Sequence, residues 1–221
     1  VPVAAPVVRC ARFALKEKHM LKVYGHPMST CVRKVLATLA EHGAPHEFVL
    51  VDLMTGTHKQ PEHLARQPFG QVPVIEDGDF RLYESRAICK YLDEKHGGKL
   101  VPKDLKAKAL MEQWLSVETS NFTPHAMKFI FHHIFKRTQQ EETLAEAGSK
   151  ISDALGIMDK HLATNKFFAG NDFSIADISF LPYVEYAMMT PVKDMVAVHP
   201  NVMGWWERSS SRPSWQKAIG K

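Results

Sequence analysis

Cysteine is scarce in this chain. Cys10, Cys31 and Cys89 are the only three in 221 residues, and no two are spaced C-x-x-C. They are too few and too scattered for a disulfide framework, which suits a reducing compartment and predicts a cytoplasmic protein. Long apolar runs are missing as well. None approaches the length needed to cross a bilayer, so no membrane role is expected. An excess of one charge is also absent. The 28 basic residues are nearly matched by 24 acidic ones, for a net charge of +4. No lysine- or arginine-rich run interleaves with aromatics, so nucleic-acid binding is not indicated. The slight basic excess still favours an anionic small substrate. His125, His132 and His133 lack a ligand spacing such as H-E-x-x-H, and no metal is predicted. Internal repeats and low-complexity tracts are lacking, apart from the short Ser209-Ser210-Ser211.

What is present is ordinary for a soluble globular protein: 45% apolar and 24% charged residues. The length allows one large domain or two small ones. Residues 1–19 stand apart. Val1 to Val8 is rich in Pro, Ala and Val, and Arg9, Arg12, Lys16 and Lys18 are opposed only by Glu17. The segment reads as a disordered tail ahead of a domain that starts near Met20. An organelle-targeting remnant is the alternative, and the lack of serine counts against it.

The stretch from Leu21 to His42 organises the rest. Leu21-Lys22-Val23-Tyr24-Gly25 alternates like a short strand, and Gly25 and Pro27 punctuate it. Ser29 is an N-cap candidate for the helix that follows. Val32, Val35, Leu36, Leu39 and Ala40 recur on one helical face, and Gly43 offers a left-handed stop. A hydroxyl at the positive end of a helix favours an anion, for example a thiolate.

Downstream, His46 to Asp52 reads as a buried parallel strand, with the preceding helix as its crossover. A short helix is predicted around Pro61 to Arg66. Val72 to Ile75 and Phe80 to Tyr83 flank an Asp-Gly turn, which predicts an antiparallel hairpin. Pro73 holds Val72 extended and breaks the ladder, leaving the backbone N–H and C=O of Val72 free to meet a ligand. Ser85 is a cap candidate for a helix from Arg86 to Lys95. The order β-α-β-α-β-β-α predicts a small domain over residues 20–98, with a mixed four-stranded sheet between helices. A linker over 99–106 leads to an all-helical domain over 107–221. There, helices are predicted over Ala107 to Phe122, Ala126 to Phe135 and Thr143 to Leu162, with Pro124 ending or kinking the first. Ser174-Ile175-Ala176-Asp177 is a variant capping box opening a buried run to Met189, and a last helix carries Trp205 and Trp206.

An α/β domain of this order followed by helices resembles the glutathione transferases, whose first half is thioredoxin-like. Six segments sharpen the likeness to the plant phi class: Tyr24 to Thr30, Gly56 to Lys59, Gln67 to Pro73, Asp77 to Phe80, Tyr83 to Ile88 and Ser174 to Asp177. The resemblance runs from about Met20 to Ser214. It implies that Ser29 is the catalytic residue and that its hydroxyl stabilises glutathione as the thiolate. It implies that His58 and Lys59 hold the glycine-end carboxylate. The backbone of Val72 would pair with the central residue, Gln71 would reach a carboxylate, and Glu84 and Ser85 would take the γ-glutamyl end, with Arg86 behind them. Glutathione would be a co-substrate, with no prosthetic group. The other substrates would be apolar electrophiles, with reduction of organic hydroperoxides a further activity, in a pocket that includes Leu53 and Phe122. A homodimer is implied by the family alone.

Three other readings follow from the residues. Cys31 is a rival nucleophile for thiol transfer, as in lambda-class and dehydroascorbate-reducing relatives. It lies two positions past Ser29, so at about 100° per residue it should face away from the site. The same cleft in a non-catalytic carrier would store apolar ligands. Ser174 and Asp177 read as purely structural, with a loss that harms folding more than chemistry.

Overall fold

The computed structural model describes residues 20–221, so the predicted tail over 1–19 lies outside the described residues. The chain opens with strand β1 (Lys22–Gly25), helix α1 (Thr30–His42) and strand β2 (Glu47–Leu50). A 3₁₀ turn (Thr57–Lys59) and helix α2 (Pro61–Leu64) follow. The hairpin of β3 (Val74–Asp77) and β4 (Phe80–Tyr83) comes next, and then helix α3 (Ser85–Lys95). Among the described residues the sheet has four strands in the order β2-β1-β3-β4. β1 runs parallel to β2 and antiparallel to β3, with Tyr24 opposite Val49 on one side and Val74 on the other. Asp77 pairs with Phe80 across the predicted turn, whose Gly78 adopts φ 66°. This mixed sheet with flanking helices is thioredoxin-like.

α1 forms as its pattern predicts. Val32, Val35 and Leu39 are fully buried. The helix stops at Gly43, where φ is 60° and the next amides close back on Ala40 and Leu39. One expectation fails at β2, which is parallel but not buried: Glu47, Phe48 and Leu50 are exposed. The crossover places β2 outside β1, and β3 takes the other flank of β1. The apolar run therefore forms an edge strand.

From α4 (Leu105–Val117) onward every element is helical. Pro124 does not break the chain's path. A π turn (Glu118–Phe122) inserts between α4 and α5 (Thr123–His133), and Pro124, which has no N–H to donate, sits in the first turn of α5. α6 (Glu141–Leu162) and α7 (Ile175–Ala187) follow. The short helices α8 (Val192–Ala197) and α10 (Pro213–Ala218), which the sequence pattern did not reveal, flank α9 (Pro200–Ser210). Phe168 centres an aromatic core, with ring centroids 4.7 Å from Trp114, 4.4 Å from Phe180 and 5.1 Å from Trp205.

The core runs without a break from the sheet into the helices. α1 packs against both α7 and α10, so the helix carrying Ser29 is shared property of the two halves. At its C-terminal end Glu41 accepts both fork nitrogens of Arg212, at 2.8 and 2.9 Å. Burial pushes the Glu41 carboxyl up, but the bonds from Arg212 and Ser214 outweigh it and hold the carboxyl below its ordinary range. A carboxyl depressed in the folded state adds stability above its unfolded pKa and loses it as pH falls through the folded value. Glu41→Gln should therefore lower the melting temperature at neutral pH. The gap to the parent protein should close on acidification, as thermal scans across pH would show.

Candidate active site

The site begins where β1 ends. The loop after Gly25 brings Ser29 to the start of α1 with φ −72° and ψ 123°, the extended geometry of an N-cap. Its Oγ accepts the Val32 amide at 3.4 Å, beyond the usual range of about 2.7–3.2 Å for such a bond. Among the described residues no protein acceptor takes the hydroxyl proton. The hydroxyl of half-buried Ser29 is thus free to donate at a helix N-terminus.

Two further segments converge by way of Gly70. Its φ is 61°, and a Cβ placed there would lie 2.8 Å from the His58 carbonyl oxygen and from the Lys59 side chain. Only glycine permits this approach, which lays the 3₁₀ turn against the Gln67–Val72 segment. Lys59 uses one of its three ammonium protons on the Phe69 carbonyl, at 2.9 Å, and is otherwise exposed. His58 keeps a buried Nδ1 with no partner among the described residues. Burial, then Lys59 and His63, pull its pKa down. The neutral form of His58 is thereby favoured, and Lys59 supplies the positive charge.

The backbone of Gln71 is fixed on both sides. Its carbonyl accepts His63 Nε2 at 2.8 Å, and its amide donates to Gln67 Oε1 at 3.1 Å. The Gln71 side chain is left exposed. His63 and Gln67 are buried positioning residues that the sequence did not single out. Val72 follows, with a cis bond to Pro73. Among the described residues no hydrogen bond uses its N–H or C=O, and β3 begins only at Val74. A strand-like edge is thereby left open to an extended peptide.

Glu84 is the N-cap of α3, at φ 74° and ψ 107°, and Ser85 is the first helical residue, not the cap. The first α3 amide paired inside the helix is that of Ile88, to the Glu84 carbonyl. The amides before it and the buried Ser85 hydroxyl face an anion-favouring end. Glu84 itself is exposed, with no side-chain bond among the described residues. A glutamate at positive φ stores about 1 kcal/mol or more of strain, which a glycine would relieve. Glu84→Gly should leave thermal stability unchanged or higher. It should also raise KM for a cationic ligand end by about tenfold, the worth of one charge-assisted bond. A fall in stability with unchanged KM would remove Glu84 from the site.

One expected residue lies elsewhere. Phe122 is completely buried, 5.5 Å from the Phe180 ring, so it belongs to the core and offers no surface to a ligand. Leu53 is half-buried. Arg86, expected behind the groove residues, sends its guanidinium to Glu118, with Nε at 3.0 Å. Glu118 also meets Lys34 at 3.5 Å, both side chains fully buried, and Lys34 lies 4.6 Å over the Tyr183 ring. Burial lowers the Lys34 pKa, against the pull of Glu118. This ion cluster ties α1 and α3 to the helical half, and nothing in the spacing of the sequence announces it. Cys31 is half-buried, its Sγ 3.8 Å from the Tyr183 hydroxyl.

The family model described as the glutathione S-transferase N-terminal domain matches residues 19–94, and that of the C-terminal domain matches residues 122–213. Glutathione S-transferase F12 of Arabidopsis thaliana is 39% identical over 208 residues, covering 90% of this chain and 97% of the relative. The chain belongs to the glutathione S-transferase family. Its curated relatives include phi-class enzymes of plants. Glutathione transferase F7 of Populus trichocarpa superposes with a TM-score of 0.86 at 37% identity, over 91% of this chain and 98% of that one. Maize glutathione S-transferase I, in complex with an atrazine glutathione conjugate, superposes with a TM-score of 0.85 at 32% identity, over 91% and 97% of the two chains. Like other glutathione S-transferases, this one uses glutathione as co-substrate. The open groups described above match the parts of that tripeptide: two carboxylates, an ammonium, a peptide backbone and a thiol.

Proposed function

We propose that Ser29 ionises bound glutathione and that the resulting thiolate attacks apolar electrophiles or reduces organic hydroperoxides. The observation that carries this reading is the Ser29 hydroxyl, whose proton no group among the described residues takes and which stands at the positive end of α1. Lys59 and His58 would hold the glycine carboxylate, Val72 the central residue, and Glu84 with Ser85 the γ-glutamyl end, with Gln71 in reach of a carboxylate. Rate enhancement then comes from a standing thiolate and from proximity.

In place of Phe122 in the electrophile pocket, we name Phe135 beside Leu53. Phe135 is partly buried, and its ring lies 5.7 Å from Tyr186, which borders the Ser29 loop. A homodimer is part of this reading, supported by the exposure of Phe69 and Met54. So is a cytoplasmic location, supported by the free thiols of Cys31 and Cys89.

Conjugation of glutathione to a chromogenic aromatic halide tests the proposal. The parent protein and Cys31→Ser should be active, and Ser29→Ala severely impaired. Loss in Cys31→Ser with full activity in Ser29→Ala would transfer the role to Cys31. No turnover in any of the three, with tight binding of apolar dyes, would favour a carrier.

A further inference from the structure

We infer that Tyr186 and Arg33 are positioning residues for the reaction, because together they fix the peptide unit that aims the Ser29 hydroxyl at the glutathione sulfur. The inference rests on the reading of Ser29 given above. The unit in question joins Met28 to Ser29. Its N–H, from Ser29, donates to the His26 carbonyl at 2.9 Å. Its C=O, from Met28, accepts the Tyr186 hydroxyl at 2.9 Å, from a helix 158 positions away in sequence. Both polar ends of one planar group are therefore tied, one within the loop and one across to α7. Rotation of that plane is what changes φ of Ser29, and φ sets the direction of its side chain.

Arg33 completes the tie. It sits one turn into α1, and its Nε donates to the Pro27 carbonyl at 2.9 Å. Its guanidinium lies 4.7 Å over the Tyr186 ring. Pro27 and Met28 are exposed, so solvent-side packing does not hold the loop. Tyr186 is buried, wedged between Arg33 and the Phe135 ring. Around its hydroxyl the charged groups are Arg33 of α1 and Glu185 of α7. Burial raises the pKa of the hydroxyl, so it remains a donor through the working range. The helical half thus reaches into the α/β half to set the geometry of the thiol-ionising group. Phe135 and Tyr183 also come from the helical half, the latter lying against Cys31 and Lys34 in the first turns of α1.

Tyr186→Phe keeps the ring and both of its packing partners and removes only the hydroxyl. Thiolate absorbance of bound glutathione, followed against pH, is the first readout, and the pH profile of kcat/KM is the second. The midpoint should rise by about half a unit, so activity below it falls about threefold and recovers at high pH. KM for glutathione should change little, because its holding residues are untouched. Arg33→Met, which frees Pro27, should move the midpoint in the same direction. It serves as the variant of record if Tyr186→Phe fails to fold. Adding Ser29→Ala to Tyr186→Phe should give no shift beyond that of Ser29→Ala, because the tyrosine acts through the serine. A folded Tyr186→Phe with a lower melting temperature and an unmoved midpoint would overturn the inference and leave Tyr186 as packing. If Ser29→Ala alone leaves the midpoint in place, the reading of Ser29 has failed, and this inference with it.

Discussion

Ser29→Ala is expected to lower kcat/KM for conjugation near neutral pH by about 10- to 100-fold, with KM for glutathione nearly unchanged. The size follows from comparing two contributions to the thiolate. A helix N-terminus is worth about 0.3–1 kcal/mol to a nearby anion, less than one pKa unit. A hydrogen bond to a charged acceptor is worth about 1.5–3 kcal/mol, or roughly one to two units. The hydroxyl therefore dominates, and the amides at the start of α1 supply a remainder that survives in the variant. The Ser29 cap itself is weak, since its oxygen holds the Val32 amide at only 3.4 Å, so the variant should stay folded. Its deficit should shrink as pH rises and free thiolate forms without help. A deficit independent of pH would mean that the serine does something other than ionise the thiol.

Asp177→Ala should cause the largest loss of stability, about 3–5 kcal/mol, with activity per folded molecule unchanged. Asp177 is fully buried at the start of α7 and accepts four bonds. One oxygen takes the Phe168 amide at 3.0 Å and Trp205 Nε1 at 2.8 Å. The other takes the Ser174 amide and hydroxyl, each at 2.9 Å. Removing the carboxylate orphans donors from three elements at once, and domains of this kind have only about 5–15 kcal/mol in hand. Asp177→Asn should recover part of the loss. Its amide nitrogen must face one pair of donors, so it cannot restore both oxygens' work. Denaturant melts of the three proteins give the ordering. A stable but inactive Asp177→Ala would contradict the structural role.

Local patterns carried the elements whose residues are constrained by their neighbours in sequence. Ser29, the apolar stripe of α1 and Gly43 announced one helix from cap to stop, and Asp77-Gly78 announced the hairpin. The Ser174–Asp177 box announced α7. Failures came where tertiary context decides. The run around Phe48 looks buried because a sequence records hydrophobicity but not which flank of a sheet is already taken. Phe122 looked available because an apolar residue between the two halves can either line a pocket or fill the core, and only its packing against Phe180 decides which. The groove residues were legible as chemistry, through the likeness to a family. Their supports were not. His63, Gln67, Lys34, Glu118 and Tyr186 matter through partners far away in sequence, and no periodicity marks a lysine for complete burial.

The most direct test is to load the protein with glutathione at neutral pH and record the ultraviolet absorbance of the sulfur as pH is varied. Ionisation about one to two units below that of the free thiol is the predicted result, returning most of the way to the free value in Ser29→Ala. A sulfur that stays protonated in the filled groove at neutral pH, or a curve that Ser29→Ala does not move, would contradict the account.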